Sequence, residues 1–133
     1  MGENRIKLVA ADMDGTLLNR ERKITKYTQN VIKKAMAQGV YFVPATGRAV
    51  NALPPELKEM EGIRYGIFSN GATIYDLKEE KVIYKNHFEM DRVLELMDFL
   101  KQFDLMESIS LNGQSYACLL YTSDAADELD GVD

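Results

Sequence analysis

The 133-residue sequence contains a single cysteine, Cys118, and a single histidine, His87. One cysteine excludes an internal disulfide and a metal site built from several cysteines, and it is consistent with a reducing compartment. No second histidine and no cysteine cluster accompanies His87 in the sequence. We therefore expect a surface or interdomain role for His87 rather than a catalytic or metal-binding one.

Long hydrophobic runs are also missing. The uninterrupted apolar stretches extend over only a few residues, and the polar residues 1–5 are not followed by a signal-peptide core. We expect neither membrane insertion nor secretion, so the cytoplasm is the predicted compartment. With 46% hydrophobic and 28% charged residues, the composition is typical of a folded globular domain.

Basic residues are absent from residues 118–133, which contain five acidic ones. The formal net charge of −5 arises in this tail, because residues 1–117 hold 16 acidic and 16 basic side chains. There is no basic excess to attract a nucleic acid or an anionic membrane surface. We predict neither of these partners, and the sequence gives no indication of the oligomeric state.

The acidic tail itself departs from the pattern of the chain. It has neither the spacing of an amphipathic helix nor the alternation of a strand. Residues 118–128 resemble the translation of a common transposase-type sequencing adapter, and residues 131–133 match the primer that follows the index. We therefore predict a non-native tail over residues 118–133, with the native reading frame interrupted near Ala117. A genuine acidic tail is the alternative.

The sequence before this tail, residues 1–117, predicts an α/β fold. Apolar runs at residues 6–11, 41–45 and 65–69 are predicted as strands of a parallel sheet, and the first of them as a buried strand. A helix is predicted between the first two strands, with Thr25 as its N-cap and Gly39 as its C-cap glycine. Strand, helix and strand form one βαβ unit.

Less regular segments follow the second strand. A second helix is predicted over residues 50–60, where Pro54-Pro55 has to break the helix or begin its main portion. Residues 72–75 and 81–84 are predicted to form a small antiparallel hairpin. An apolar stripe predicts a further helix that begins near Asp91.

The strongest chemical signal is Asp12-Met-Asp14-Gly-Thr16-Leu-Leu18, which directly follows the first predicted strand. Two carboxylates two residues apart converge on the crevice where open α/β sheets bind ligands, and they suit a hard divalent cation. Gly15 permits a sharp turn, and Thr16 can hold the loop by a local hydrogen bond. An isolated D-x-D would also fit an aspartate-rich turn without chemistry.

This heptapeptide resembles the first motif of the haloacid dehalogenase superfamily. The resemblance implies a Rossmann-like core and a phosphohydrolase that uses Mg²⁺. Asp12 would attack phosphorus, form an aspartyl-phosphate and bind the metal through its other oxygen. Asp14 would protonate the leaving group and later activate water, and its backbone carbonyl would also contact the metal. A carboxylate nucleophile with a neighbouring acid/base divides a difficult displacement into two steps.

Two shorter segments follow the next two strands. Thr46-Gly47-Arg48 resembles the superfamily's second motif, which implies that Thr46 and Gly47 hold the phosphoryl group and that Arg48 binds substrate or phosphate oxygens bidentately. Ser-Asn70-Gly71-Ala resembles a segment typical of Cof-like phosphatases. Asn70 is a candidate for the substrate site, and the same Asn-Gly pair is typical of a type I′ hairpin turn. Both interpretations of Asn70 remain open, and they are compatible.

The spacing between the first two motifs indicates which branch of the superfamily the sequence resembles. Asp12 and Thr46 are 34 positions apart, which leaves room for one crossover but not for an inserted cap domain. The resemblance is therefore to the Cof-like branch, whose α/β cap enters after the third strand. We predict that residues 1–85 belong to the core and residues 86–117 to the beginning of a cap.

The superfamily pattern also includes a third-motif lysine and a G-D-x-x-N-D segment, and neither is recognisable in this sequence. The resemblance implies that the parent protein is a magnesium-dependent phosphatase for a sugar phosphate or another small phosphorylated metabolite. Because the two motifs are missing, we predict that this truncated chain is itself inactive. Two alternatives remain. One is a phosphate- or protein-binding module without catalysis, and the other is a related sugar phosphomutase.

Overall fold

The computed structural model describes residues 5–103, 107–111 and 114–118. Five strands form one sheet in the order β1-β2-β3-β4-β5, which confirms the predicted α/β fold class. The strands are β1 (Leu8–Asp12), β2 (Tyr41–Ala45), β3 (Tyr65–Phe68), β4 (Thr73–Asp76) and β5 (Lys81–Lys85).

The first three strands are parallel, and the last two complete an antiparallel hairpin on β3. In the β1–β2 ladder Asp12 lies opposite Ala45, and in the β2–β3 ladder Ala45 lies opposite Ile67. The β3–β4 and β4–β5 pairs are antiparallel, as the turn signals predict. The carboxyl ends of β1, β2 and β3 therefore lie at the same edge of the sheet, where α/β sheets bind ligands.

Helix α1 (Lys26–Ala37) connects β1 to β2. The Thr25 hydroxyl accepts a hydrogen bond from the backbone N–H of Thr28 at 3.1 Å, which satisfies a donor that the first helical turn leaves unpaired. Gly39 follows the C-cap residue with a φ of 82°, a conformation that favours glycine after a helix. Both predicted helix ends are confirmed.

The segment predicted as a helix over residues 50–60 is divided at Pro54-Pro55, where the sequence predicts a break or the start of the main portion. A single turn at Val50–Ala52 is followed by the short helix α2 (Pro55–Lys58), with Pro54 between them and Pro55 at the first helical position. A proline has no backbone N–H, but at the first helical position this costs nothing, because no carbonyl of the helix is placed to accept from that N–H. The two prolines therefore both end the first turn and begin the second.

The core lies around the fully buried side chains of Met13, Leu57 and Phe68. Strand β1 contributes little to it, because only Ala11 of this strand packs against the core while Leu8 is 54% and Val9 39% exposed. The prediction of a buried first strand is thus wrong for the described residues. The strand order explains the difference: β1 is an edge strand that pairs only with β2 in this part of the chain.

A second unit begins after the hairpin. Among the described residues, one compact unit contains residues 5–87 and parts of 110–115, and the other contains parts of 88–109 and 116–118. Helix α3 (Met90–Leu100) matches the predicted helix, but none of its residues is buried. Strands β6 (Glu107–Leu111) and β7 (Gln114–Cys118), which were not predicted, pair with each other.

The predicted non-native tail lies outside the described residues, except for the Cys118 backbone that ends β7. In the described part of the chain, no helix combines the length and the apolar character that a membrane crossing requires.

Candidate active site

The loop after β1 is a wide turn that brings two carboxylates to the surface. The N–H of Leu18 donates to the carbonyl of Met13 at 2.9 Å, and Gly15 has a φ of 79° within the turn. Met13 is fully buried and anchors the loop, whereas Asp12 and Asp14 on either side of it are exposed. This alternation presents both predicted catalytic residues to solvent.

Thr16 contacts the predicted nucleophile directly. Its hydroxyl donates to Oδ2 of Asp12 at 3.3 Å, which closes the turn through a side chain. This local hydrogen bond is the one that the sequence predicts for Thr16. Asp12 is the last residue of β1, so its backbone is held by the sheet and its carboxylate by the loop.

The segment Thr46-Gly47-Arg48 lies at the same edge of the sheet, immediately after β2. Thr46 is only 6% exposed, and its N–H donates to the carbonyl of Ile67 at 2.9 Å. Its hydroxyl oxygen accepts from the N–H of Arg48 at 3.1 Å. Because the oxygen is used as an acceptor, the hydroxyl hydrogen is available to donate to an anion.

The side chain of Arg48 joins the two motifs. Its Nε donates to Oδ2 of Asp14 at 2.9 Å and its Nη2 to Oδ1 at 2.5 Å, a bidentate ion pair. Hydrogen bonding from Arg48 is the main cause that holds the pKa of Asp14 below its usual range. The sequence predicts that Arg48 donates two hydrogen bonds to phosphate. Among the described residues, these donors bind the carboxylate of Asp14.

Asn70 belongs to the turn that links β3 and β4. Asn70 and Gly71 have φ values of 55° and 91°, and the N–H of Ala72 donates to the carbonyl of Ser69 at 3.1 Å. These are the features of a type I′ turn. The N–H of Asn70 also donates to the carbonyl of Thr46 at 3.2 Å. Asn70 is therefore both a turn residue and a neighbour of the second motif.

A cleft that sequence patterns do not indicate opens beside Arg48. It is an open groove of about 790 Å³ whose lining mixes charges of both signs, with the basic residues Arg22, Lys23 and Arg48 and the acidic residues Glu21, Glu56 and Glu59. The side-chain oxygen of Asn19 accepts from the N–H groups of Glu21 and Lys23, which fixes the loop that carries Arg22. Only the concentration of basic residues between the first motif and α1 hints at this wall in the sequence.

The donor set fits part of a magnesium site. Exposed carboxylate oxygens of Asp12 and the backbone oxygen of Asp14 are hard ligands, which Mg²⁺ prefers. In the described residues no group of three or more His, Cys, Asp and Glu side chains is arranged to hold a metal ion. These residues would supply two ligands to such a site.

Comparison with known proteins identifies the family. Residues 9–129 match the sequence profile of the haloacid dehalogenase-like hydrolases. The chain belongs to this family. Membership confirms the resemblance to its Cof-like members that the first motif and the spacing indicate.

Individual proteins are similar to this chain in sequence or in fold. A 5-amino-6-(5-phospho-D-ribitylamino)uracil phosphatase of Bacillus subtilis is 37% identical over 89 residues, which are 64% of this chain and 36% of the relative. A haloacid dehalogenase-like hydrolase structure from B. subtilis is similar with a TM-score of 0.73 at 26% identity, over 84% of this chain and 39% of that one.

A third similar protein is a sugar phosphatase of subclass IIB of the superfamily. Its structure gives a TM-score of 0.70 at 28% identity, over 84% of this chain and 44% of that one. The chain spans only 33% to 40% of the length of three curated relatives that it matches.

Proposed function

We propose that the whole protein is a magnesium-dependent phosphatase that hydrolyses a phosphoric monoester of a small metabolite, with sugar phosphates as the preferred class. The proposal is carried by one observation: Asp12, Asp14 and the segment Thr46-Gly47-Arg48 lie at one edge of the parallel sheet. Family membership supports the reaction class. The sugar phosphatase among the similar structures supports the substrate class.

In this proposal Asp12 is the nucleophile and Asp14 is the general acid and base. A carboxylate oxygen of Asp12 attacks phosphorus, the ester P–O bond breaks, and Asp14 gives its proton to the departing oxygen. Water then attacks the aspartyl-phosphate while Asp14 accepts a proton from it. Inorganic phosphate leaves and the carboxylate of Asp12 is regenerated. The Thr46 hydroxyl holds the phosphoryl oxygens during both steps.

Arg48 has two partners in the proposed cycle. In the free chain it binds Asp14 and favours the ionised carboxylate. A general acid has to carry a proton before it can donate one, so we propose that the phosphoryl oxygens of the substrate draw Arg48 away from Asp14. Release of Arg48 removes the main contact that lowers the pKa of Asp14.

The carboxylate of Asp12 and the backbone carbonyl of Asp14 would hold magnesium. When bound, the ion supplies positive charge that neutralises the phosphoryl oxygens. The remaining acidic ligands would come from a G-D-x-x-N-D segment, which this sequence does not contain. We therefore propose that the 133-residue chain alone shows no magnesium-dependent turnover.

The test is hydrolysis of small phosphate esters by the whole protein with and without Mg²⁺. Asp12→Asn should reduce turnover to background, because an amide is a poor nucleophile and a neutral ligand. Asp98→Asn is a matched control, since this exposed acid pairs with Lys101 on the surface of α3. Undiminished turnover by the Asp12→Asn protein would contradict the assignment of the nucleophile.

A binding module without catalysis is the second candidate. It is favoured by the two-ligand metal site, which by itself is short of acidic groups. The two functions predict different behaviour of the whole protein. A module would bind inorganic phosphate yet hydrolyse no ester at any Mg²⁺ concentration, whereas the phosphatase would do both.

A further inference from the structure

Three consecutive residues at the β3–β4 turn have left-handed backbone conformations. The φ values are 51° for Ser69, 55° for Asn70 and 91° for Gly71. Glycine adopts this region without strain and asparagine tolerates it, but serine has no such tolerance. The hydroxyl oxygen of Ser69 is also buried without a hydrogen-bond partner among the described residues. Such local costs persist where the surrounding structure requires the conformation.

The conformation directs two backbone N–H groups at the loop after β2. Ser69 donates to the carbonyl of Arg48 at 3.0 Å, and Asn70 donates to the carbonyl of Thr46 at 3.2 Å. The two acceptors flank Gly47. The turn therefore binds the backbone on both sides of the residue at the centre of the second motif.

The side chain of Asn70 occupies the remaining space beside Gly47. A β-carbon added to Gly47 would lie 2.6 Å from Oδ1 and 3.3 Å from Cγ of Asn70. The shorter distance is below van der Waals contact, so an alanine at position 47 would displace the end of the exposed Asn70 side chain. Glycine at this position leaves the space that the asparagine side chain occupies.

We propose that the turn Ser69-Asn70-Gly71 is a clamp that positions the phosphate loop, Thr46-Gly47-Arg48. Asn70 is then a positioning residue, which acts through its backbone and its packing rather than as a ligand of the phosphoryl group. The proposal rests on the proposed function for the identity of the anion that the loop binds. The strain at Ser69 is the local cost of holding the loop from both sides.

A suppressor experiment on the 133-residue chain tests the clamp. Gly47→Ala should move the backbone amide resonances of Thr46 and Arg48 and weaken binding of inorganic phosphate about tenfold or more, since small displacements of a binding group are costly. Adding Asn70→Gly removes the side chain that the new methyl group meets and keeps a residue that accepts a positive φ. The double variant should recover the wild-type amide positions and most of the phosphate affinity.

A second pair of variants separates the clamp from general destabilisation. Asn70→Val and Glu80→Val each place a β-branched residue at a positive φ, but Glu80, with a φ of 49°, lies in the β4–β5 turn. Both should lower the Tm. Only Asn70→Val should move the Thr46 and Arg48 amides, because only this turn donates hydrogen bonds to the phosphate loop.

Two results would overturn the proposal. One is a double variant whose amide positions are no closer to wild type than those of Gly47→Ala. The other is an Asn70→Gly variant that loses as much phosphate affinity as Gly47→Ala, since the side chain would then be a ligand. The amide positions and the Tm need no anion. Recovery of both without phosphate binding in any variant would support the clamp while counting against the proposed function.

Discussion

The guanidinium of Arg48 donates to both carboxylate oxygens of Asp14, across 34 residues of chain. One ion pair thereby connects the loop after β1 to the loop after β2. Its exposed position makes it a contact that a bound anion can exchange, because the side chain of Asp14 is 53% and that of Arg48 26% exposed.

The first prediction concerns the titration of Asp14. Arg48→Gln should raise the pKa of Asp14 towards its usual range, because the main cause that lowers it is removed. The carboxyl ¹³C shift of Asp14 measured against pH gives the answer. Arg22→Gln is the matched control, since Arg22 acts on Asp14 only through its charge and should change the pKa less. An equal or larger change from Arg22→Gln would contradict the bidentate pair.

The second prediction concerns Asp76, which is 2% exposed at the end of β4. Burial alone would raise its pKa, but N–H donors from Glu79, Arg64 and Lys78 together hold the pKa of this carboxyl below its usual range. Asp76→Asn places an amide N–H against these donors. We expect a lower Tm by roughly 5 °C or more, because a buried donor loses its acceptor.

Asp76 should also make the stability of the fold depend on pH. A carboxyl group whose pKa is depressed by folding stabilises the fold above its unfolded pKa, and this contribution is lost as the pH falls through the folded value. The Tm of the wild type should therefore fall more in acid than the Tm of Asp76→Asn. Glu61→Gln, a change at an exposed acid, should retain the wild-type acid response. Identical acid responses of wild type and Asp76→Asn would show that Asp76 contributes nothing to it.

The third prediction concerns the start of α1. Thr25→Ala removes the oxygen that accepts from the N–H of Thr28 and should reduce the free energy of unfolding by about 1 kcal/mol. Thr25→Ser keeps an N-cap oxygen and should lose less than half of that. Chemical denaturation of the three proteins measures the difference. Equal losses in the two variants would mean that the cap bond contributes little.

Local patterns were sufficient for much of this fold. The N-cap at Thr25, the left-handed Gly39 and the Asn70-Gly71 turn depend on backbone preferences within a few residues, and the structure has all three. The strand before each chemical motif was predictable for the same reason, because short apolar runs bounded by turn residues favour strands. Parallel pairing of β1 and β2 then places Asp12 and Thr46 at the same edge of the sheet.

Relationships between distant segments could not be predicted. The exposure of β1 depends on the order of strands in the sheet, and an apolar run such as Leu8–Asp12 has the same composition at an edge as at a centre. The ion pair between Arg48 and Asp14 was not predicted, because a guanidinium pairs equally well with a carboxylate or a phosphate. The predicted binding of phosphate oxygens by Arg48 stays a prediction. The packing of Asn70 on Gly47 likewise requires coordinates of both loops.

The exposed edge of β1 affects how long Asp12 and Thr46 stay in their relative positions. Amide protons exchange with solvent first where a strand can detach locally, and among the described residues β1 pairs with one strand whereas β2 pairs with two. Asp12 is on the strand with one ladder, and Thr46 follows the strand with two. In the described part of the chain, the position of Asp12, the proposed nucleophile, relative to Thr46 therefore depends on the β1–β2 ladder, and fraying of that ladder would move Asp12 while Thr46 stays in place.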